Sequence, residues 1–414
     1  MNADVVIVGA GLAGLACARR LVEGGVEPLV LEASDQVGGR VRTDEVDGFL
    51  VDRGFQVHLT AYPEAQRVLD YHALDLRAFE PGARVWLGDG FARLGDPLRR
   101  PLDVFPTLLA DVGSLVDKLR ILRLRQSVTS GTVEALWQRP ELSTEQALRE
   151  RYGFSERMVE RFFRPFLGGV FLDRSLADSS RTFEFYFRMF SRGEAAVPAG
   201  GIQRIPEQLA ARLPDGTVRL DAPVDAVSAS SVSLAEGDAV RCDAVVVATD
   251  ASVAADLLDL DAPGWKCTAQ IAWDAAPSPI DQPRLMLDGV GAGPVNNVQV
   301  MSAVAPGYAP PGRSLVTASV VGDSPLDDDT LDREARIQLR RWFGPAVDDW
   351  RRLRVDRVER ALPLLPSLEP PERPARIRDG LYVAGDWRRN GSINGALLAG
   401  RHAAEAVLAD RAAP

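Results

Sequence analysis

A chain of 414 residues, 46% hydrophobic and 26% charged, has length for roughly two or three domains and a composition too ordinary for a disordered or fibrous protein. Its net charge of −10 disfavours nucleic-acid binding, because phosphate contacts need clustered positive charge. Cys17, Cys242 and Cys267 are an odd three without CxxC spacing, so neither a disulfide framework nor a zinc site is suggested and a reducing cytoplasm fits.

The first apolar run, Val5 to Val8, reads as a strand rather than a secretory leader: Asp4 precedes it, no basic stretch leads into it, and glycines interrupt it at once. No run reaches the ~18 consecutive apolar residues of a spanning helix. A cytoplasmic protein is expected, with peripheral membrane contact left open. The strand opens into Gly9-Ala10-Gly11-Leu12-Ala13-Gly14, a small-residue helix, and Leu29-Val30-Leu31 ending in Glu32. Gly9 suits a tight turn, Gly11 a close approach of backbone to pyrophosphate, and Gly14 close packing of helix on strand. Leu12 and Ala13 open the helix, whose N-terminus carries roughly +0.5 charge for the anion. Glu32, followed by Ala33, suits both ribose hydroxyls; a carboxylate there argues against a 2'-phosphate. A dinucleotide site is expected.

Val37-Gly38-Gly39-Arg40 and Gly48-Phe49-Leu50-Val51-Asp52-Arg53-Gly54-Phe55-Gln56 follow directly. With these residues the chain resembles the flavin-containing amine oxidase and phytoene desaturase superfamily. The resemblance implies bound FAD, with Arg40 on the pyrophosphate or flavin edge and Gly54, Phe55 and Gln56 on the flavin wall; as no cysteine lies near Asp386, the FAD is expected to be non-covalent. It also implies an α/β fold: a discontinuous Rossmann-type FAD-binding domain (residues 1–60, 200–264 and 362–414) and an α+β substrate domain (61–199 and 265–361) with a mixed or antiparallel sheet and a helical insert over 101–190.

Further along, Thr60 to Leu76 contains a plausible helix with Pro63 in its first turn, and Val85 to Phe91 a hairpin turning at Gly88-Asp89-Gly90. Ser114 to Arg125 and Ser143 to Tyr152 read as helices, the second with a capping box from Ser143 to Gln146. Nine of fifteen phenylalanines fall between Phe154 and Phe190. The plain reading is a helical core; the other is an apolar substrate tunnel or bilayer contact. Ile205 to Leu213 is helical, and short strands return at Val218–Leu220, Val224–Val227, Val232–Leu234 and Ala244–Thr249; the resemblance places the Val224 backbone at the adenine end.

Strands are expected at Lys266–Trp273, Arg284–Leu287, Val298–Val304 and Ser314–Val321. Gly289 to Gly293 reads as a hairpin turn, since Pro294 follows and no helix does; no second dinucleotide motif, and so no NAD(P) site, is implied. Leu331 to Phe343 is an amphipathic helix and Leu353 to Ala361 a strand. Prolines 363, 366, 370, 371 and 374 then make a stiff connector. The second strong signature is Gly380-Leu381-Tyr382-Val383-Ala384-Gly385-Asp386, with Gly391 to Ala396 opening a last helix. The resemblance implies Gly385 and Asp386 at the ribityl and pyrophosphate, and Ile393, Asn394, Gly395 and Ala396 at the flavin pyrimidine, where helix-end N–H groups stabilise charge on reduction.

Of 48 basic residues only Lys118 and Lys266 are lysines. An amine oxidase of the resembled superfamily shows a lysine reaching the flavin through water and an aromatic cage. Lys266 is the catalytic candidate, with a solvent-facing strand lysine the simpler reading, and Ile393 stands where the cage ring is expected. His58, His72 and His402 are scattered and read as structural; no metal-ligand constellation is present. The expected function is therefore hydride transfer from a small apolar or partly apolar substrate to flavin, desaturase- or dehydrogenase-like, with reoxidation by oxygen or another acceptor. The alternatives are an amine oxidase using Lys266 and a non-catalytic flavin-binding protein.

Overall fold

The computed structural model describes residues 2–95, 110–368 and 373–412. Two sheets carry the architecture. The first is built on a β-α-β unit of β1 (Asn2–Val8), α1 (Leu12–Glu23) and β2 (Pro28–Leu31). Val5, Val6, Ile7 and Val8 are buried on both faces, as a central parallel strand requires. β1 pairs in parallel with β2 on one side and with Ala239–Val247 on the other, Val5 opposite Ala244 and Val8 opposite Val247. The strand Ala239–Val247 changes character midway. Its first half alternates exposed and buried and pairs antiparallel with Ser231–Leu234; its second half is buried throughout and pairs in parallel with Leu381–Val383. Stretches of chain near residues 2–31, 218–247 and 376–383 thus share one sheet, in the expected discontinuous Rossmann-type pattern.

α1 packs against both this sheet and the last helix, Ile393–Ala412. An added Cβ at Gly400 would sit 2.0 Å from the Ala13 carbonyl oxygen, so the two helices approach to backbone contact.

The second sheet runs in the order Arg351–Pro363, Trp265–Asp274, Leu315–Val321, Asn297–Val300, Leu285–Asp288, Ala83–Trp86, Phe91–Leu94. It is antiparallel except where Leu285–Asp288 lies parallel to Ala83–Trp86, the mixed sheet expected. Its faces differ. Ala269, Ile271, Trp273, Val298, Val316 and Ala318 pack with Leu331, Ala335, Leu339 and Trp342 of the helix Asp328–Phe343. By alternation the opposite face carries Lys266, Thr268, Gln270, Asn297, Gln299, Thr317 and Ser319, all buried. These polar side chains satisfy one another: Asn297 donates to Gln299 and Ser319, and Gln299 to Thr317.

The phenylalanine-rich stretch is core. Phe154, Phe163, Phe171, Phe183 and Phe185 are buried, and Phe162, Phe166, Phe187 and Phe190 pack against them. Three sequence expectations need correction. The helix after Thr60 covers only Pro63–Val68, because Leu69 is extended and the Asp70 carboxylate accepts from the His72 and Ala73 N–H groups to make a turn. The strand expected to reach Val304 stops at Val300, and Met301–Val304 forms a helical turn whose Ser302 hydroxyl accepts from the Leu315 N–H. Residues 147–151 widen into a wider helical turn, with the Tyr152 N–H bonded to the Ala147 carbonyl. Residues 101–109 of the expected helical insert, and Pro370 and Pro371, lie outside the described residues. Among the described residues no helix is long and apolar enough to cross a membrane.

Candidate functional site

In open α/β sheets, ligands bind beyond the carboxyl ends of the parallel strands. A wide concavity of about 870 Å³ beside Ala3, Pro28, Thr217 and Arg241 lies at the opposite, amino ends, away from that position. At the carboxyl end, the Gly9 N–H donates to Leu31 and the Ala248 N–H to Val8, closing the turn over both neighbouring strands. Gly14 has no alternative: a Cβ there would lie 1.9 Å from the Gly9 carbonyl oxygen. Gly11 is the N-cap of α1 and brings no side chain to its first turn, where Leu12 and Ala13 are buried. The first N–H groups of a helix lack internal acceptors. A Cβ on Gly11 would meet nothing within 4 Å, so these donors face open space.

Glu32 closes one end of this space. Its carboxylate accepts from the Ala10 N–H at 2.6 Å and from the Ser34 N–H and hydroxyl at 3.0 and 2.7 Å; Ala33 beside it is exposed. The Ala222 N–H donates to the Glu32 carbonyl at 2.8 Å, which sets half-buried Val224 two residues further along the same edge. Gly38 donates to Ala10, and Gly39 stands over Gly11.

Arg40 ties the far side together. It donates to Asp386 at 2.6 Å and to the Ala361 carbonyl at 2.9 Å, and its guanidinium lies 5.4 Å from the Trp265 ring centre. Burial alone would lower the Arg40 pKa; the Asp386 charge and hydrogen bond outweigh it and raise it above the ordinary value. Gln56 donates to the Arg40 carbonyl at 2.8 Å and so joins the cradle, while the ring of Phe55, after Gly54, packs edge-on against Phe79 with centres 5.9 Å apart. Below them Asp52 is buried, accepting from Thr43, the Ile202 N–H and Tyr308; burial nevertheless pushes its carboxyl up to about 6.

Gly385 and Asp386 follow the strand Leu381–Val383, and Ile393, Asn394, Gly395 and Ala396 open the last helix, with Asn394 accepting from the Glu64 N–H at 3.0 Å. At this junction the buried Trp387 Nε1 and Asn390 Nδ2 find no partner among the described residues. Free first-turn donors, open space at Gly11, a carboxylate at the second strand's end and two orphaned donors fit a long diphosphate-bridged cofactor with a heteroaromatic ring.

Tyr62, Tyr186, Ser392 and Asp178 were not singled out from the sequence. Tyr186 donates to the Gly391 carbonyl at 2.8 Å, and both tyrosines, buried and with pKa values raised by burial, reach Ser392. Tyr186 was legible only as one ring in an aromatic run. Lys266 is not the solvent-facing lysine of the simpler reading. It is buried, its Nζ 2.5 Å from both carboxylate oxygens of buried Asp178 and 5.8 Å from the Phe171 ring centre. It follows Trp265, against which Arg40 rests, in the strand. The histidines divide. His58 is buried between Tyr62 and Tyr71, and burial lowers it to about 4; His402 contacts Arg389 at 2.5 Å; His72 is exposed.

The chain is similar to coproporphyrinogen III oxidase of Propionibacterium freudenreichii subsp. freudenreichii, 27% identical with 77% of this chain and 72% of that protein covered. It is also similar to polyamine oxidase 1 of Oryza sativa subsp. japonica, 31% identical over 52% of this chain and 45% of that one. Its fold matches an oxidoreductase of Methanosarcina mazei (TM-score 0.76, 20% identity, 99% and 100% of the two chains) and a putrescine oxidase solved with putrescine (TM-score 0.74, 18% identity, 99% of each chain). The profile of the flavin containing amine oxidoreductase family matches residues 12–408. With a flavin-shaped cradle at the carboxyl end of its sheet and a family match along nearly its whole length, this chain belongs to the flavin-containing amine oxidoreductases, a family of flavin-dependent oxidoreductases.

Proposed function

We propose that the chain is an FAD-dependent oxidoreductase of the desaturase or dehydrogenase kind, acting on a small apolar or partly apolar substrate, with FAD held non-covalently. Bound FAD supplies the acceptor for a hydride lost from a substrate C–H bond, and oxygen or another acceptor takes the electrons onward. The protein's part is to place that bond and exclude water.

In this reading Gly9 to Gly14 and Arg40 hold the pyrophosphate, Glu32 the ribose, Val224 the adenine edge, Asp386 the ribityl chain, and Ile393 to Ala396 the pyrimidine edge. Gly54, Phe55 and Gln56 wall the ring. Non-covalent attachment is supported by the cysteines: Cys17 and Cys242 are buried and Cys267 half-buried, and burial raises all three thiols, Cys242 to about 11, so none is a ready nucleophile.

The observation that carries the substrate class is the state of Lys266. Clamped by Asp178 beside Phe171 and Tyr186, it offers no free amine as base to a substrate amine, and its surroundings are aromatic. Anaerobic titration of the purified flavoprotein with amines, polyenes and porphyrinogens, followed near ~450 nm, tests this. Bleaching by a polyene or porphyrinogen is expected; bleaching by amines alone overturns it.

The second reading, an amine oxidase, is favoured by the burial of Lys266 next to Trp265. In that case Lys266→Met slows amine-driven bleaching by about a hundredfold or more. An unchanged rate removes it.

A further inference from the structure

Asp178 and Lys266 meet from elements 88 residues apart. Asp178 stands just before Ser179, the N-cap of the helix Ser180–Arg192, and its main-chain carbonyl accepts from the Thr144 N–H at 2.7 Å and hydroxyl at 2.8 Å. The carboxylate is therefore carried on a corner fixed by backbone bonds. Lys266 sits at the head of the strand Trp265–Asp274, second from the edge of its sheet, opposite Leu362. Its side chain is on the polar face of that sheet. Burial pushes the Asp178 carboxyl above the usual carboxylate range; of the titratable groups on neighbouring elements, Lys266 lowers it by charge and hydrogen bond and Asp173 raises it, and Tyr186 feels its charge in turn.

A buried ion pair loses so much hydration that apolar residues of equal volume usually serve stability as well or better. Two opposite charges facing the Phe171 ring are a poor way to fill a core. They are an effective way to hold a lysine still and charged.

We propose that Asp178 is a positioning residue for Lys266: it keeps the ammonium charged and turned toward Phe171, so that the wall of the site presents neither a free base to an amine nor an unpaired cation to an anion. The pair thereby selects a substrate that is electrically neutral at its reacting end. No bond is made or broken; the proton stays on Nζ. The inference rests on reading Lys266 as part of the substrate wall.

With two lysines in the chain, isotope labelling at lysine Cε yields two side-chain resonances whose shifts follow protonation of Nζ. In the wild-type flavoprotein the Lys266 resonance should lie at the charged position at about pH 8. In Asp178→Asn it should cross to the neutral position below about pH 8, because an unpaired buried lysine gives up its proton well below the ordinary value of about 10. Asp178→Glu should restore the charged form. Anaerobic bleaching by putrescine as the probe amine should quicken about tenfold or more in Asp178→Asn and return to the wild-type rate in the double variant Asp178→Asn, Lys266→Met.

A Lys266 resonance that titrates alike in wild type and Asp178→Asn overturns the positioning role. So does a wild-type resonance already neutral at about pH 8, which decides the matter even where Asp178→Asn does not fold. Rapid bleaching of the wild-type flavin by putrescine overturns the substrate class instead, and the lysine titration then judges the positioning role separately.

Discussion

Glu32 bears the clearest consequence of a single side chain. Its two oxygens already accept from Ala10 and Ser34, so the carboxylate is held in place before any ribose arrives. A charged hydrogen bond contributes about 1.5–3 kcal/mol. Glu32→Ala is therefore expected to raise the FAD dissociation constant roughly tenfold to a hundredfold, read by quenching of flavin fluorescence on titration. Circular dichroism should be unchanged, and unaltered affinity would remove Glu32 from the site. This residue was legible because strand, turn, helix and acid all lie within thirty-two residues of contiguous chain. The environment of Lys266 was not. A lysine at the head of a strand looks the same in sequence whether it meets water or Asp178.

At the scale of elements, local signals survived where they were self-contained. The capping box at Ser143 and Gln146 caps its helix, and the structure adds a second, Ser114 with Asp117. Asp117 also docks a second element, since its carboxylate accepts from the N–H and hydroxyl of both Ser114 and Ser155. Burial alone would raise the Asp117 pKa; those bonds overcome it and hold the carboxyl at about 2. An unfolded aspartate titrates near about 3.9. A depressed carboxyl stabilises the fold fully above about pH 4 and loses that contribution as pH falls toward about 2. Calorimetry of Asp117→Asn should show a lowered Tm at neutral pH and a gap to wild type that narrows through that window. A gap independent of pH would mean the ionised form is not what the serines stabilise. The elements misjudged from sequence, the helix cut short at Val68 and the strand ended at Val300, were broken by the Asp70 turn and by the bond from Leu315 to Ser302. The second of these is a contact that periodicity does not encode.

For the whole molecule, the cradle is assembled from stretches near residues 9–56, 222–224 and 385–396, which only the common sheet and the packed last helix bring together. A ligand spanning them binds the folded chain and not the unfolded one. At FAD about a hundredfold above its dissociation constant the added stability is about 2.7 kcal/mol. Scanning calorimetry of stripped protein should accordingly show Tm rising by a few degrees with FAD; no shift at saturating FAD would contradict the assembled site. By itself the sequence determined the dinucleotide turn, the terminal Gly-Asp strand and helix, and the alternation of strands, because each is a local pattern of backbone freedom, small residues and hydrophobic period. Only the tertiary structure decided that Arg40 reaches Asp386, that Tyr62 and Tyr186 converge on Ser392, and that Lys266 is held by Asp178. Those contacts join residues far apart in the chain, and their energy depends on burial that exists only once both sheets and the helical insert have packed.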